Sequence, residues 1–343
     1  MNKLPHKLPG PWRITFDTNP HLCNLHCIMC DTHSIYNPEK VKNDHIMQFW
    51  IIEKVVKSAL PYLKEIIPST MGEPLLYRDF SKIIELAMRY NIKINLTTNG
   101  TFPIYGVEKW GKAVLPVASD VKISMNGINR ETGESIMVGI NHKKQIDNII
   151  KFVNIRDEVR HTGTNWPTVT LQVTFMERNL KELPDILRFA IDKGIDRLKG
   201  HHLWITWPQI KGESLKKNTE TISKWNDMVD TLYDIVKSTG SKLKLANIHK
   251  LPIENNENVP EEFICPFLGK EAWIAWDGTF NVCCAPDVMR RTFGYFGNVK
   301  DKDLIELWNS DAYNNLIDNW GTNYVCRICN MRRPKDEVYD GHE

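Results

Sequence analysis

Between Cys30 and Cys265 this 343-residue chain has no cysteine, although it holds eight. A disulfide framework or a scatter of core thiols would not leave such a gap. All eight lie at residues 23–30 or 265–329. Long apolar runs are also missing. None reaches the ~20 residues of a membrane span, and the N-terminal MNKLPHKLPGPW has no apolar h-region. A cytoplasmic chain with reduced thiols is therefore expected, and clustered thiols there read as metal ligands. Charge of one sign is absent too: 44 Lys and Arg against 42 Asp and Glu leave a net charge of +2. No basic stripe argues for nucleic acid. The length suits one large domain plus a smaller one, with a sizeable core.

From about residue 12 to 210, strand-like and helix-like stretches alternate. Candidate strands are Trp12–Phe16, Glu65–Pro68, Lys93–Thr97, Val121–Met125, Val169–Phe175 and Arg197–Lys199. Candidate helices are Met47–Leu60, Phe80–Tyr90, Lys143–Val153 and Leu180–Lys193. Such alternation predicts a parallel α/β architecture. Six units fall short of an eight-fold barrel, so an open, partial (β/α)6 barrel is expected, with ligands at the C-terminal ends of its strands. Residues 219–237 predict an amphipathic helix. Ile222, Trp225, Val229, Leu232 and Val236 mark its apolar face, and Gly240 is its C-cap. The polar stretch Pro252–Glu262 reads as a linker. The expected division is a barrel at 1–240, then a linker and a second cysteine-bearing domain at 241–343.

The first cysteine group is Cys23, Cys27 and Cys30, in the string CNLHCIMC. Three thiolates at this spacing can ligate three corners of a [4Fe–4S] cube. The fourth iron then lacks a protein ligand and is open to a substrate or cofactor. A zinc site is the alternative for such a group, and His26 and His33 lie nearby. The loop resembles the cluster-binding loop of the radical S-adenosylmethionine (SAM) enzymes. That resemblance implies SAM chelated to the open iron, cleaved by an electron from the cluster to release a 5′-deoxyadenosyl radical. The cofactor supplies the hard chemistry, and the protein supplies position and shielding.

Further segments carry the resemblance. Met71-Gly72-Glu73-Pro74 is similar to the family's Gly-Gly-Glu-Pro segment, which implies contact with the SAM amino group; Met71 replaces the first glycine. Thr97-Thr98-Asn99-Gly100 ends the third candidate strand as a TNG segment does in many of these enzymes. Ser124 matches a serine near the SAM ribose, with Asn126-Gly127 where Asp-Gly is common. Met29 stands where a bulky residue contacts adenine, and Gln172 is a further SAM-contact candidate.

The second group is Cys265, Cys283, Cys284, Cys326 and Cys329. The intervening AWIAWDGTFNVCC reads as a hairpin around an Asp-Gly turn. The order of cysteine, hairpin cysteine and a final C-x2-C resembles the twitch domain, a shortened SPASM extension. It implies an auxiliary [4Fe–4S] cluster held by Cys265, Cys283, Cys326 and Cys329, so two clusters in all. Four cysteines also match the ligand set of a zinc site. Cys284 is then spare. If it follows Cys283 along a strand, it points to the opposite face.

The resemblance extends to radical SAM epimerases, and implies Cys284 as catalytic hydrogen donor inverting a carbon centre of a sugar, aminoglycoside or peptide. An alternative is similarity to 2-deoxy-scyllo-inosamine dehydrogenase, in which the auxiliary cluster accepts an electron and Cys284 is structural. A peptide maturase is disfavoured, since no N-terminal winged-helix module is visible. Either enzyme needs a reducing donor such as flavodoxin or ferredoxin. The aromatic stretches His201–Trp207 and Trp273–Phe280 are candidate cavity linings, and Asp17, Glu73, Glu177 and His202 candidate polar contacts.

Overall fold

The computed structural model describes residues 7–39, 44–69, 71–163, 165–253, 259 and 262–335. Six strands are each followed by helix. They are β1 (Arg13–Phe16) with α1 (Phe49–Ala59), β2 (Glu65–Ile67) with α2 (Phe80–Tyr90), and β3 (Lys93–Thr98) with α3 (Gly106–Val114). Then come β4 (Ala118–Ser124) with α4 (Arg130–Ile136) and α5 (His142–His161), β5 (Thr168–Phe175) with α6 (Glu177–Leu180) and α7 (Leu183–Asp192), and β6 (Arg197–His202) with α8 (Thr219–Thr239). A short β7 (Lys244–Ala246) and the hairpin β8 (Glu271–Ile274) and β9 (Phe280–Asn281) follow. The polar linker Pro252–Glu262 lies mostly outside the described residues.

Contacts divide the chain into two compact units, and the boundary falls within β3. One comprises Met1–Leu22, Lys42–Asn95 and Glu257–Glu343. In it β1 pairs in parallel with β2 on one side and β8 on the other, and β9 returns antiparallel to β8. The Asp277-Gly278 turn makes that reversal. Gly278 adopts φ +89°, and its Cβ would stand 2.6 Å from Asn298 Oδ1, so only glycine fits.

The other unit comprises Cys23–Val41 and Leu96–Asn256. Here β4, β5, β6 and β7 pair in parallel. Val169, Leu171, Val173 and Phe175 of β5 are fully buried, as a sheet covered on its faces requires. Helix α8 ends at Gly240 in the left-handed conformation (φ 60°), as the sequence predicts. Its buried face differs at one place: Ile235, not Val236, joins Ile222, Trp225, Val229 and Leu232. Helix α5 runs eight residues beyond its predicted end, and the stretch expected as one helix at 180–193 breaks into α6 and α7 just before Pro184.

Candidate functional site

The first cysteine loop is anchored by the apolar residues between its thiols. Leu25 and Ile28 are buried against Ile136, Met137, Ile140, Met176, Leu203 and Ile210, with Met29 packed on the rim. Two backbone bonds fix the loop to the α4 end: His26 N–H to Val138 O at 2.8 Å and Ile28 N–H to Ile136 O at 3.0 Å. Cys23 and Cys27 pack on the edge of this apolar anchor. Backbone donors face their sulfurs, Leu25 N–H toward Cys23 at 3.5 Å and His33 N–H toward Cys30 at 3.2 Å. Hydrogen bonds to sulfur are among the features that tune iron–sulfur clusters.

Burial pushes the Cys27 thiol well up, and the neighbouring Cys30 and Cys23 add to it. Burial, then Asp31, pushes Cys30 up to about 12. Cys27 and Cys30 thus resist ionising, and a shared metal removes that resistance because a coordinating thiol is deprotonated outright. The donor set therefore fits a cation or cluster. Among the described residues, the group of three donors lying within 4.8 Å of one another is His21, Asp44 and His45, not the cysteines.

Asn99 reaches this loop. Its Nδ2 donates to Asn24 Oδ1 at 2.9 Å and lies 3.9 Å from Cys23 Sγ. Ser124, the last residue of β4, is the register partner of Gln172 within β5. Asn126 accepts from Thr174 N–H at 2.8 Å, so it joins strand ends. Sequence reasoning missed Gln145 of α5, whose Nε2 donates to Asn99 O at 2.8 Å and Ser124 O at 2.9 Å. A polar residue on a helix's buried face was the available signal. Trp207 was named only as a lining candidate; its indole N–H donates to Cys30 O at 2.8 Å and clamps the loop. His202 packs edge-on against Trp225 and Phe175, and Glu177 pairs with Lys217 near the surface. The structure gives both of those residues packing or surface roles.

In the first unit, Gly72 has φ +72°, and a Cβ there would lie 2.3 Å from Asn19 O and 2.7 Å from Leu22 O. Glu73 N–H donates to Leu22 O at 2.8 Å, and Asn19 Nδ2 donates to Glu73 O at 2.8 Å. The segment Met71–Pro74 is thereby held against the residue preceding Cys23. Glu73 is buried, and its carboxylate accepts from Leu75 N–H at 3.3 Å.

The second cysteine group assembles within this same unit. An antiparallel bridge between Ile264 and Arg333 brings the flanks of Cys265 and Cys329 together. Leu268 N–H faces Cys265 Sγ at 3.5 Å, and Met331 N–H faces Cys329 Sγ at 3.4 Å. Burial pushes Cys265 up to about 12, with Cys329 next. Cys283 is also pushed up to about 12 by burial, with Cys329 raising it and Arg290 lowering it. One expectation is corrected. Strand β9 ends at Asn281, and Cys283 and Cys284 lie in a bend, so strand alternation does not set them on opposite faces. Cys284 is pushed far up by burial, then by Cys283, Cys329 and Cys265.

Comparison with known proteins agrees with this geometry. The model of the radical SAM superfamily matches residues 20–190, and that of an iron–sulfur cluster-binding domain, SPASM, matches residues 265–330. A GTP 3′,8-cyclase of Clostridium botulinum is 36% identical over 87% of this chain and 88% of its own length. A tungsten-containing aldehyde ferredoxin oxidoreductase cofactor-modifying protein of Pyrococcus furiosus is 25% identical over 92% of this chain and 86% of its own. Among solved structures, Streptococcus suis SuiB bound to S-adenosylmethionine aligns with TM-score 0.66 and 14% identity, covering 94% of this chain and 73% of that one. The fold is therefore the partial α/β barrel with a C-terminal cluster domain, and the chain belongs to the radical SAM superfamily. Its cofactors are SAM and a [4Fe–4S] cluster in the barrel, with auxiliary iron–sulfur in the SPASM region. No helix among the described residues is long and apolar enough to cross a membrane.

Proposed function

We propose that the chain is a radical SAM epimerase that inverts a carbon centre of a small hydroxyl-bearing substrate. In this reading Cys23, Cys27 and Cys30 hold the SAM-binding cluster, and Cys265, Cys283, Cys326 and Cys329 hold the auxiliary one. Met29, Met71, Gly72, Glu73, Pro74, Asn99, Ser124 and Gln172 form the SAM surface. The functional division is barrel at 1–240 and cluster domain at 241–343; the two family matches, 20–190 and 265–330, fall on either side of it. When bound, SAM and its cluster supply the radical that removes one hydrogen atom from a substrate carbon. Cys284 then gives its S–H hydrogen atom to the opposite face of that carbon. The C–H bond forms, the S–H bond breaks, and the thiyl left on Cys284 is restored by one electron from a reduced flavodoxin- or ferredoxin-type donor and one proton.

The observation that carries this reading is a fifth cysteine, Cys284, next to the proposed ligand Cys283, with its thiol pushed well up by burial and by Cys283. A protonated thiol is the form that donates a hydrogen atom. Small-molecule chemistry is supported by the Clostridium botulinum relative, whose name specifies a nucleotide, GTP.

The bend at Cys283-Cys284 favours a second reading, a dehydrogenase. A cysteine held in a bend beside a proposed cluster ligand suits a structural thiol, with the auxiliary cluster accepting the substrate's second electron. Turnover in D2O separates the two. The epimerase fixes one deuterium at the inverted carbon. A carbonyl product with no deuterium there would establish the dehydrogenase instead.

A further inference from the structure

Two histidines and an aspartate that belong to neither cysteine group converge in the first unit. His21, Asp44 and His45 each offer one ligand atom, and the three atoms lie within 4.8 Å of one another. His45 Nδ1 stands 3.0 Å from His21 Nε2. Asp44 Oδ1 lies 3.7 Å from His21 Nδ1 and 3.8 Å from His45 Nε2. Nitrogen and oxygen ligands bind a zinc-like ion at about 2.1 Å, so two on one ion stand about 3–3.5 Å apart. Small side-chain rotations therefore close the set on a single centre. The three positions form no local ligand motif in the sequence, so folding alone brings them together.

The three residues sit on braced backbone. The end of β1 is tied to the end of β8, where Asp17 N–H donates to Ile274 O at 2.9 Å. Asp17 also accepts from Arg290 Nη1 at 3.4 Å, and both are buried. The chain then turns through Asn19–Leu22, closed by Leu22 N–H to Asn19 O at 3.0 Å and by Asn19 Nδ2 to Glu73 O at 2.8 Å. His21 sits in that turn. The segment bearing Asp44 and His45 docks on the same stretch, because Met47 N–H donates to Thr18 O at 2.8 Å. The Tyr77 hydroxyl holds Met47 O in turn at 2.9 Å. Trp276, just past β8, stacks on the His45 ring with centroids 4.1 Å apart and planes 10° apart. His45 stacks on His21 at 3.8 Å. A metal site needs its imidazoles oriented by surrounding groups, and this stack does so.

Two imidazoles and one carboxylate, with no thiolate, suit a borderline divalent ion better than a soft or a hard one. Three protein ligands leave at least one position for water, as in zinc sites that stay open. The side chains are 27% exposed at His21, 36% at His45 and 60% at Asp44, so an ion and its water can enter. We propose that His21, Asp44 and His45 form a mononuclear site for a divalent ion of the zinc and nickel class, using none of the cluster cysteines. The ion takes two imidazole nitrogens and one carboxylate oxygen. It ties the segment bearing Asp44 and His45 to the turn at Asn19–Leu22. Its open position polarises the water or ligand oxygen held there.

Zinc is the probe. Anaerobic, cluster-loaded protein is titrated with zinc(II) by calorimetry, and the loaded sample is read by zinc X-ray absorption. About one zinc per chain is expected, with nitrogen and oxygen neighbours, imidazole scattering and no sulfur. Asp44→Ala and His45→Gln change partly exposed side chains, so the fold and the iron content should hold. Each is expected to weaken zinc binding at least about tenfold, the scale on which even outer partners of a metal act. No binding at millimolar zinc, equal affinity in wild type and both variants, or a zinc shell made of sulfur alone would each overturn the proposal.

Discussion

Gly72 shows how one residue fixes a surface. Its φ of +72° and the carbonyl oxygens of Asn19 and Leu22, 2.3 and 2.7 Å from where a Cβ would sit, forbid any side chain. Gly72→Ala must push the Met71–Pro74 segment off Leu22, and loss of SAM binding by at least about tenfold is expected in equilibrium dialysis, with iron retained. The paired histidines of β6 make a pH prediction. Burial, then Lys199, lowers His201 to about 4, and burial, then Lys216 and His201, lowers His202 well below its ordinary value. Both are therefore neutral in the folded protein near neutrality. Below about pH 6.5 the unfolded chain takes protons that the folded chain refuses, so stability is full above that pH and falls toward about pH 4. Urea midpoints should drop across that window, and His202→Phe should shrink the drop. Among single residues, the cluster thiols were legible because ligand spacing is local in sequence. Asn99, Gln145 and Trp207 act through partners 46 to 177 residues away, so spacing showed nothing of what they hold.

Helices were legible where apolar periodicity was strong. Helix α2 spans Phe80–Tyr90 as read from the sequence, and the Asp-Gly turn of the β8–β9 hairpin stands where its dipeptide placed it. Helix α3 was missed, since its short run GVEKWGKAV holds two glycines that weaken a helix pattern. The alternation argument for Cys284 failed because β9 has only two residues, and a bend follows before the cysteines. Capping at α8 follows the local rules. Asn218 accepts from Thr221 N–H at 2.9 Å, so Asn218→Ala should cost about 1 kcal/mol in chemical denaturation. Trp225, fully buried on the same helix, should cost about 3–5 kcal/mol as Trp225→Ala.

For the whole molecule, two sets of thiols in one chain imply two metal centres that can be emptied separately. Anaerobically reconstituted protein should hold about eight irons, four per [4Fe–4S] cluster. Cys27→Ala should leave about four and abolish SAM cleavage. Cys326→Ala should also leave about four but still cleave SAM. Iron and zinc analysis of each variant checks this, and zinc at the C-terminal set would contradict it. The family and the parallel α/β order were legible in the sequence, because six alternating units and two cysteine groups are patterns of the chain itself. The grouping of β1 and β2 with Glu257–Glu343 was not, since it is set by pairing of β1 with β8 across more than two hundred residues.

The hydrogen donor is tested most directly by one comparison: wild type and Cys284→Ser, both loaded with clusters, turned over with SAM and substrate in D2O. The account predicts that both form 5′-deoxyadenosine, and that only the wild type yields an inverted product carrying one deuterium. A Cys284→Ser enzyme that inverts the centre as well as wild type would contradict it.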